Sequence, residues 1–325
     1  MLNIVFMGTP DFAKESLEAI YNAGYNILTV VTNPDRPKGR GMKMIASPVK
    51  EFALEKNIPI LQPEKIREVK DELIELKPDL FCVVAYGKIL PQDILDIPKK
   101  GSINVHGSLL PKYRGAAPIQ WAVLNGEKTT GITTMYMDAG MDTGDMILQE
   151  KVEIGDNETT GELWDKLSNI GAKLLVETLK EIENGTAPRT PQGKDFTMAP
   201  MLNKEMAKID WENKTAGEIK NLVRGLNPIM GAYTMYKGKK IKIWKAENIE
   251  INEFIENHPE FAEYETRLND MAGGTTIYSD IKHGLYVKAK EGIVVFQEVQ
   301  AENAKKMPVQ DFLRGNVIET GEVFE

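Results

Sequence analysis

Hydrophobic and polar positions follow two different periods along the first half of the chain. Short apolar runs rich in β-branched residues, at 2–7, 26–32 and 79–86, are typical of buried strands. The segments at 10–23 and 64–76 instead carry their apolar residues at helical spacing. Strands that alternate with helices predict an α/β fold with a mostly parallel sheet.

The pattern changes to short strands in the last third of the chain. Segments separated by glycine turns, as in a small β-barrel, lie at 232–236, 239–245, 275–278, 285–289 and 293–299. The polar segment at 184–198 contains two prolines, which is typical of an exposed linker. We therefore predict an α/β domain at 1–188, a linker at 189–208 and a β-barrel domain at 209–325.

The strand predicted at 101–106 carries the most informative polar residues. Because side chains alternate along a strand, Asn104 and His106 project to the same side. An amide and an imidazole at a strand's carboxyl end, before a turn-rich loop, suit the mouth of an α/β sheet. A single histidine is more often a satisfied, partly buried residue, and this pattern alone leaves that alternative open.

A second strand, predicted at 131–136, runs into a loop with three carboxylates, Asp138, Asp142 and Asp145. One carboxylate bonded to a ring nitrogen of His106 would fix the tautomer and let the pair move protons near neutral pH. Asp142 fits best because it lies between two glycines that let the backbone approach closely. Turn formation is the alternative, and it suits two of the three.

Composition and charge narrow the classes of function. A chain of 325 residues with 42% hydrophobic residues is long enough for two domains. The net charge of -8 argues against a protein that coats nucleic acid non-specifically. Three histidines and one cysteine predict no internal disulfide and no metal site. No apolar run approaches the roughly 20 residues of a membrane span, so we expect a cytoplasmic protein without membrane contact.

Positive charge is nevertheless concentrated in the segment at 33–47. Prolines and glycines interrupt it throughout and predict a long loop without regular structure. A solvated loop is one interpretation, but cations on such a loop also suit the phosphate backbone of a nucleic acid. The four cations concerned are Arg36, Lys38, Arg40 and Lys43.

The strand at 239–245 is the second basic element. It would place Lys240, Lys242 and Trp244 on one face, which suits contact with RNA phosphates. The alternative is an edge strand whose lysines prevent aggregation. The following segment, 247–265, holds seven glutamates and neither lysine nor arginine, and it predicts a solvated insertion that would repel RNA.

These motifs together resemble the folate-dependent formyltransferases. The resemblance lies in residues 104–111, 114–120 and 138–145, and the segments 8–13, 34–41 and 47–50 are similar to the branch that acts on charged tRNA. It implies a Rossmann-like catalytic domain followed by an oligonucleotide-binding (OB-like) barrel. It also implies transfer of a formyl group from 10-formyltetrahydrofolate to the α-amino group of methionyl-initiator tRNA. We expect the protein to need no metal and to be a monomer.

The resemblance assigns roles to the residues that match its motifs. Asn104 and His106 would donate hydrogen bonds to the oxygen that becomes negative, and Asp142 would hold the imidazole. The implied ligand contacts are Ser108, Leu109, Leu110 and Pro111 for folate, Arg36, Lys38, Arg40 and Lys43 for the acceptor stem, and Lys240, Lys242 and Trp244 for the more distant tRNA backbone.

Two other functions stay open on the sequence. A formyltransferase that uses the same three residues on a small amine, such as glycinamide ribonucleotide or an amino sugar nucleotide, needs neither the basic loop nor the barrel. A non-catalytic RNA-binding barrel beside a degenerate α/β domain would keep its function when His106 is replaced. A dinucleotide-binding oxidoreductase is disfavoured because Gly8 is followed by Pro10 instead of G-x-G-x-x-G.

Overall fold

The structure, a computed structural model, describes residues 1–38 and 43–325. It divides into two compact units. The first comprises 1–119, 129–154 and 162–201, and the second comprises 120–128, 155–161 and 202–325. The domain limits inferred from the sequence stay a prediction. Within the described ranges, no helix has both the length and the apolar composition that a membrane crossing requires.

The first unit is built on a mostly parallel sheet, as predicted. Its strands run in the order β5-β2-β1-β6-β7-β8-β9, parallel from β5 to β7 and antiparallel at β8 and β9. The order reverses between β1 and β6, where such sheets leave a crevice at their carboxyl ends. The strands are β1 Asn3–Gly8, β2 Asn26–Val31, β3 Arg36–Lys38, β4 Lys43–Ile45, β5 Ile60–Leu61, β6 Leu80–Val84, β7 Ser102–His106, β8 Thr129–Tyr136 and β9 Met146–Glu153.

The helices between residues 1 and 184 follow the apolar periodicity, with one exception. They are α1 Asp11–Asn22, α2 Pro48–Glu55, α3 Lys70–Glu75, α4 Gln92–Leu95, α5 Pro118–Leu124 and α6 Thr160–Asn184. The Ser47 hydroxyl accepts a hydrogen bond from the Lys50 backbone N–H at 3.1 Å and so caps α2. The helix predicted at 64–76 is divided, because Val69, with φ -110° and ψ 14°, separates a short 3-10 helix from α3.

The prediction that 33–47 has no regular structure was wrong. Strands β3 and β4 pair antiparallel as a hairpin, with Arg36 opposite Ile45 and Lys38 opposite Lys43. Pro37 is compatible with a two-stranded ribbon, because a residue without an N–H can lie on the unpaired side. Arg40 lies outside the described residues.

The second unit contains an antiparallel sheet in the order β10-β11-β14-β13-β12, with β15 paired to β14. This confirms the change from a parallel to an antiparallel domain, whereas closure into an OB-like barrel stays a prediction. The elements are α7 Ala216–Gly225, β10 Ala232–Tyr236, β11 Lys239–Ile249, α8 Ile251–Asn257, α9 Glu265–Asp270, β12 Thr276–Asp280, β13 Gly284–Lys288, β14 Ile293–Ala301, β15 Met307–Pro308 and α10 Val309–Gly315.

The acidic segment at 247–265 is folded and is not merely a solvated insertion. Phe254 on α8 is fully buried, and Leu268 on α9 is 1% exposed. Both pack in a cluster with Ile277 and Ile293 of the sheet. The acidic composition concealed this core, because Glu250, Glu253 and Glu256 occupy exposed positions between the apolar ones.

Candidate active site

The candidate site lies at the carboxyl end of β7, within the sheet of the first unit. Strand β7 lies between β6 and β8, which place Val83 opposite Asn104 and Thr133 opposite His106. Ile103 is fully buried on the other face. Asn104 is half-buried, and its side-chain amide has no hydrogen-bond partner in the described part of the chain. This amide can therefore donate to a ligand.

His106 is held between two loops and is 5% exposed. Its Nε2 lies 2.9 Å from the carbonyl oxygen of Tyr113, and its Nδ1 lies 3.6 Å from Oδ2 of Asp142. Both ring nitrogens therefore face oxygen, and only the doubly protonated imidazole has a hydrogen for each. The distance to Asp142 is that of an ion pair, longer than a hydrogen bond.

Of the three carboxylates, Asp142 is the one that the structure brings to His106. Its Oδ2 accepts a hydrogen bond from the Gly115 backbone N–H at 2.8 Å. Asp138 instead accepts hydrogen bonds from its own turn, and Asp145 lies 3.8 Å from Arg189. The alternative role of these carboxylates, turn formation, is therefore the one that Asp138 has.

The backbone around Asp142 needs the glycines that flank it. Asp142 has φ +54°, a left-handed conformation that is uncommon for a residue other than glycine. A Cβ atom added at Gly144 would lie 1.9 Å from the carbonyl oxygen of Tyr136, so only glycine allows this approach.

The loop after His106 is fixed against β8. The Ser108 hydroxyl donates to the Lys112 carbonyl at 2.6 Å, and the Leu110 N–H donates to the Thr133 hydroxyl at 3.1 Å. Ser108 and Leu110 are buried, whereas Leu109 and Pro111 are half-buried. The contact of these four residues with folate stays a prediction.

Sequence reasoning missed the segment 189–199, which was predicted to be linker. The Arg114 N–H donates to the Thr197 carbonyl at 2.9 Å, and Met146 and Thr190 exchange two backbone hydrogen bonds. The segment therefore lies along both loops that hold His106 and Asp142. Its polar, proline-containing composition gave no signal of this role, because backbone pairing needs no particular side chains.

The basic hairpin is fixed at its base. Lys50 Nζ lies 2.6 Å from Asp35 Oδ2, and the Gln62 amide donates to both Asp35 and the Asn33 carbonyl at 2.9 Å. The hydrogen bonds from Lys50 and Gln62 hold the pKa of Asp35 below its usual value. Arg36 is exposed on the strand that follows.

The outer face of β11 carries the residues that the sequence placed there. Ile241 and Ile243 are buried, and Lys240, Lys242 and Trp244 point the other way. Because β11 pairs with β10 and β14, the alternative of an edge strand is wrong.

Contacts on this outer face differ from one residue to the next. Lys242 Nζ donates to the Met230 carbonyl at 2.7 Å, and Trp244 Nε1 donates to Gln300 at 2.9 Å. Lys240 is exposed above the ring of Tyr233. Simple alternation would put Lys245 on the same face as the buried Ile243, but Lys245 is exposed because a bulge shifts the register there.

No group of three or more His, Cys, Asp or Glu side chains is arranged to hold a metal ion across residues 1–38 and 43–325. Cys82 is fully buried, and this burial raises the pKa of its thiol. Cys82 is therefore an inert core residue on β6.

Sequence comparison finds relatives along the whole chain. The formyl transferase model matches residues 2–179, and the formyl transferase C-terminal domain model matches 201–317. The methionyl-tRNA formyltransferase of Acetivibrio thermocellus is 51% identical over 325 residues, covering 99% of each chain. That of Clostridioides difficile is 49% identical over 323 residues, covering 98% of this chain and 99% of its own.

Solved structures share the fold at lower identity. The N-formyltransferase from Helicobacter canadensis, in complex with folinic acid and dTDP-3-aminofucose, has a TM-score of 0.65 and 21% identity, covering 94% of this chain and 100% of its own. HypX from Aquifex aeolicus, in complex with tetrahydrofolic acid, has a TM-score of 0.62 and 16% identity, covering 96% of this chain and 47% of its own. At these identities the likeness shows the fold alone.

Proposed function

This chain belongs to the formyl transferase family and, within it, to the methionyl-tRNA formyltransferases, and from this premise we propose the reaction at its site. The formyl group of 10-formyltetrahydrofolate passes to the α-amino group of methionyl-initiator tRNA. The observation that carries this proposal is the presence, at the carboxyl end of β7, of an imidazole, a carboxylate and an amide that has no partner among the described residues.

Asn104 stabilises the charge that develops during transfer. The bound folate supplies a formyl carbon that the amine attacks, and negative charge then builds on the formyl oxygen. The Asn104 amide has no protein partner in the described residues, so it can donate to that oxygen without breaking a bond.

His106 and Asp142 supply the second donor and move the proton. Asp142 is fixed by the Gly115 N–H and faces Nδ1, so it stabilises the positive charge of the doubly protonated ring. The Nε2–H of His106 donates a hydrogen bond to the Tyr113 carbonyl. A substrate oxygen must therefore displace that carbonyl before it can accept the same hydrogen bond. The doubly protonated imidazole can give a proton to the leaving nitrogen and then take the proton that the attacking amine releases, which returns the ring to its starting state. The step needs no serine or cysteine nucleophile.

The loop that follows β7 suits a folate. Small-molecule sites combine apolar walls with a few unpaired polar groups; this loop supplies the half-buried Leu109 and Pro111, and β7 supplies the Asn104 amide, which has no partner among the described residues. Ser108 and Leu110 are buried and fasten the loop that presents these side chains. We assign the folate contacts to Ser108, Leu109, Leu110 and Pro111 on this basis.

The position of the basic hairpin in the sheet supports a contact with the acceptor end of the tRNA. It follows β2, which is parallel to β7, so the carboxyl ends of both strands lie at the same edge of the sheet. We assign the acceptor stem to Arg36, Lys38, Arg40 and Lys43, and the more distant backbone to Lys240, Lys242 and Trp244. The proposed trio comes from one chain, which favours a monomer, and a charged tRNA substrate favours the cytoplasm.

The test compares acceptors in one assay. The protein is incubated with 10-formyltetrahydrofolate and methionyl-initiator tRNA, and formyl-methionine is measured after hydrolysis of the ester. We expect product that disappears with His106→Ala, a variant whose folding is checked by its thermal midpoint. Amino sugar nucleotides and glycinamide ribonucleotide are tested in parallel, because a solved neighbour binds an amino sugar nucleotide. Product from these small amines and none from charged tRNA would overturn the proposal.

A further inference from the structure

The side chain of Gln192 joins the two loops that carry the proposed catalytic residues. Its Nε2 donates to the backbone carbonyls of Asp142 and Gly144, each at 2.8 Å. Its Oε1 accepts from Nε and Nη2 of Arg114 at 2.9 and 2.7 Å. Both donors and both lone pairs of the amide are therefore used within the protein, and none is left for a substrate.

Arg114 is the side chain that Gln192 binds, and we call this pair of side chains the clamp. It is 8% exposed, and its guanidinium lies 4.6 Å from the ring centre of Phe196. A buried guanidinium ordinarily takes a carboxylate partner, yet among the residues that the structure describes no carboxylate forms an ion pair with Arg114. The partner of Arg114 is an amide because it must also donate to the carbonyls of Asp142 and Gly144. A carboxylate would accept from Arg114 but could not donate to these two carbonyls.

Asp142 is the residue that needs such support. Its φ of +54° is an uncommon conformation, which persists only when surrounding groups fix it. Gly115 holds its carboxylate, and Gln192 holds its backbone carbonyl. Among the residues that the structure describes, these two hydrogen bonds restrain Asp142 at 3.6 Å from His106, and the one from Gln192 comes from a side chain.

We propose that Gln192 is a positioning residue that, together with Arg114, fixes Asp142 opposite His106 for formyl transfer. This inference rests on the proposed function, because it assigns Gln192 to the same reaction. Gln192 does not reach the substrates, so its loss lowers kcat and leaves KM unchanged for both tRNA and folate.

The isosteric variant Gln192→Glu separates the two hydrogen-bonding roles of Gln192. It keeps the acceptor for Arg114 and removes the donor to the Asp142 carbonyl. We expect kcat to fall about 100-fold, the scale of a misplacement of about 1 Å in a catalytic group, with both KM values unchanged. Lys194→Ala is the matched control, because Lys194 is exposed on the same segment and should keep the original kcat.

A double-mutant cycle distinguishes positioning from general stability. If Gln192 acts through Asp142, adding Gln192→Glu to Asp142→Asn lowers kcat little further, whereas two independent losses multiply. Multiplied losses, or a Gln192→Glu variant with the original kcat, would overturn the inference. If the glutamate variant does not fold, as judged by its thermal midpoint, Arg114→Lys tests the same clamp, and an unchanged kcat there overturns it. Failure of the unmodified protein to formylate charged tRNA would instead refute the proposed function.

Discussion

At the scale of single residues, the chemistry of this site depends on which polar groups folding leaves unengaged. Both ring nitrogens of His106 face protein oxygens, and every polar group of the Gln192 amide is bonded. Asn104, on the same strand as His106, has an amide without a partner in the described ranges. Of these three residues, Asn104 is therefore the donor most directly available to a substrate.

Asn104→Ala is expected to lower kcat about 100-fold or more, because it removes one of the two donors to the developing negative charge. Steady-state rates at saturating folate and charged tRNA provide the measurement. Asn104→Asp, which keeps the shape but loses the N–H, should show a similar loss. Asn169→Ala on the exposed face of α6 is the control and should keep the original rate. An Asn104→Ala enzyme with unchanged kcat would contradict the donor role.

At the scale of elements, local composition and tertiary packing disagree most in the acidic insertion. Helix α8 exposes Glu253 and Glu256, and helices α8 and α9 bury Phe254 and Leu268 against the sheet. Each helix is only six or seven residues long, too short to be stable alone in water. Their stability must therefore come from this buried cluster.

Phe254→Ala is expected to lower the free energy of unfolding of this region by about 3–5 kcal/mol, because it leaves a cavity at a fully buried position. Hydrogen exchange of the α8 and α9 amides measures this local change. Glu253→Ala, at the exposed position next to it, should stay within about 0.5 kcal/mol of the unmodified protein. Unchanged exchange in Phe254→Ala would mean that the cluster does not hold the insertion.

At the scale of the whole molecule, the distribution of charge matters more than its sum. The chain carries 48 acidic and 40 basic residues, so its net charge repels a nucleic acid. Cations are nevertheless present on the exposed face of β11, whereas the acidic insertion concentrates glutamates elsewhere in the sequence. Local cationic faces can therefore bind phosphates on a protein that is acidic overall.

Lys240→Gln is expected to weaken the salt dependence of tRNA binding. If Lys240 contacts one phosphate, the slope of log affinity for charged tRNA against log salt concentration should decrease in magnitude by about 1. Lys282→Gln makes the same charge change at an exposed turn between β12 and β13 and should leave the slope unchanged. Equal effects of the two substitutions would show a general charge effect and no contact at β11.

The sequence by itself determined the features that depend on neighbouring residues. Apolar periodicity located the main strands, and strand alternation placed Asn104 and His106 on the same side of β7. The family motifs then supplied the reaction. Each of these signals acts within a few residues of chain, so no distant contact is needed to interpret it.

Tertiary structure alone decided which groups meet from distant parts of the chain. Three carboxylates were available on one loop, and packing brought only Asp142 to His106. Gln192 lies 50 residues from Asp142 and 78 from Arg114, and its segment resembled a linker in composition. Pairing over such separations depends on backbone groups and on the arrangement of the sheet, which composition and periodicity do not encode.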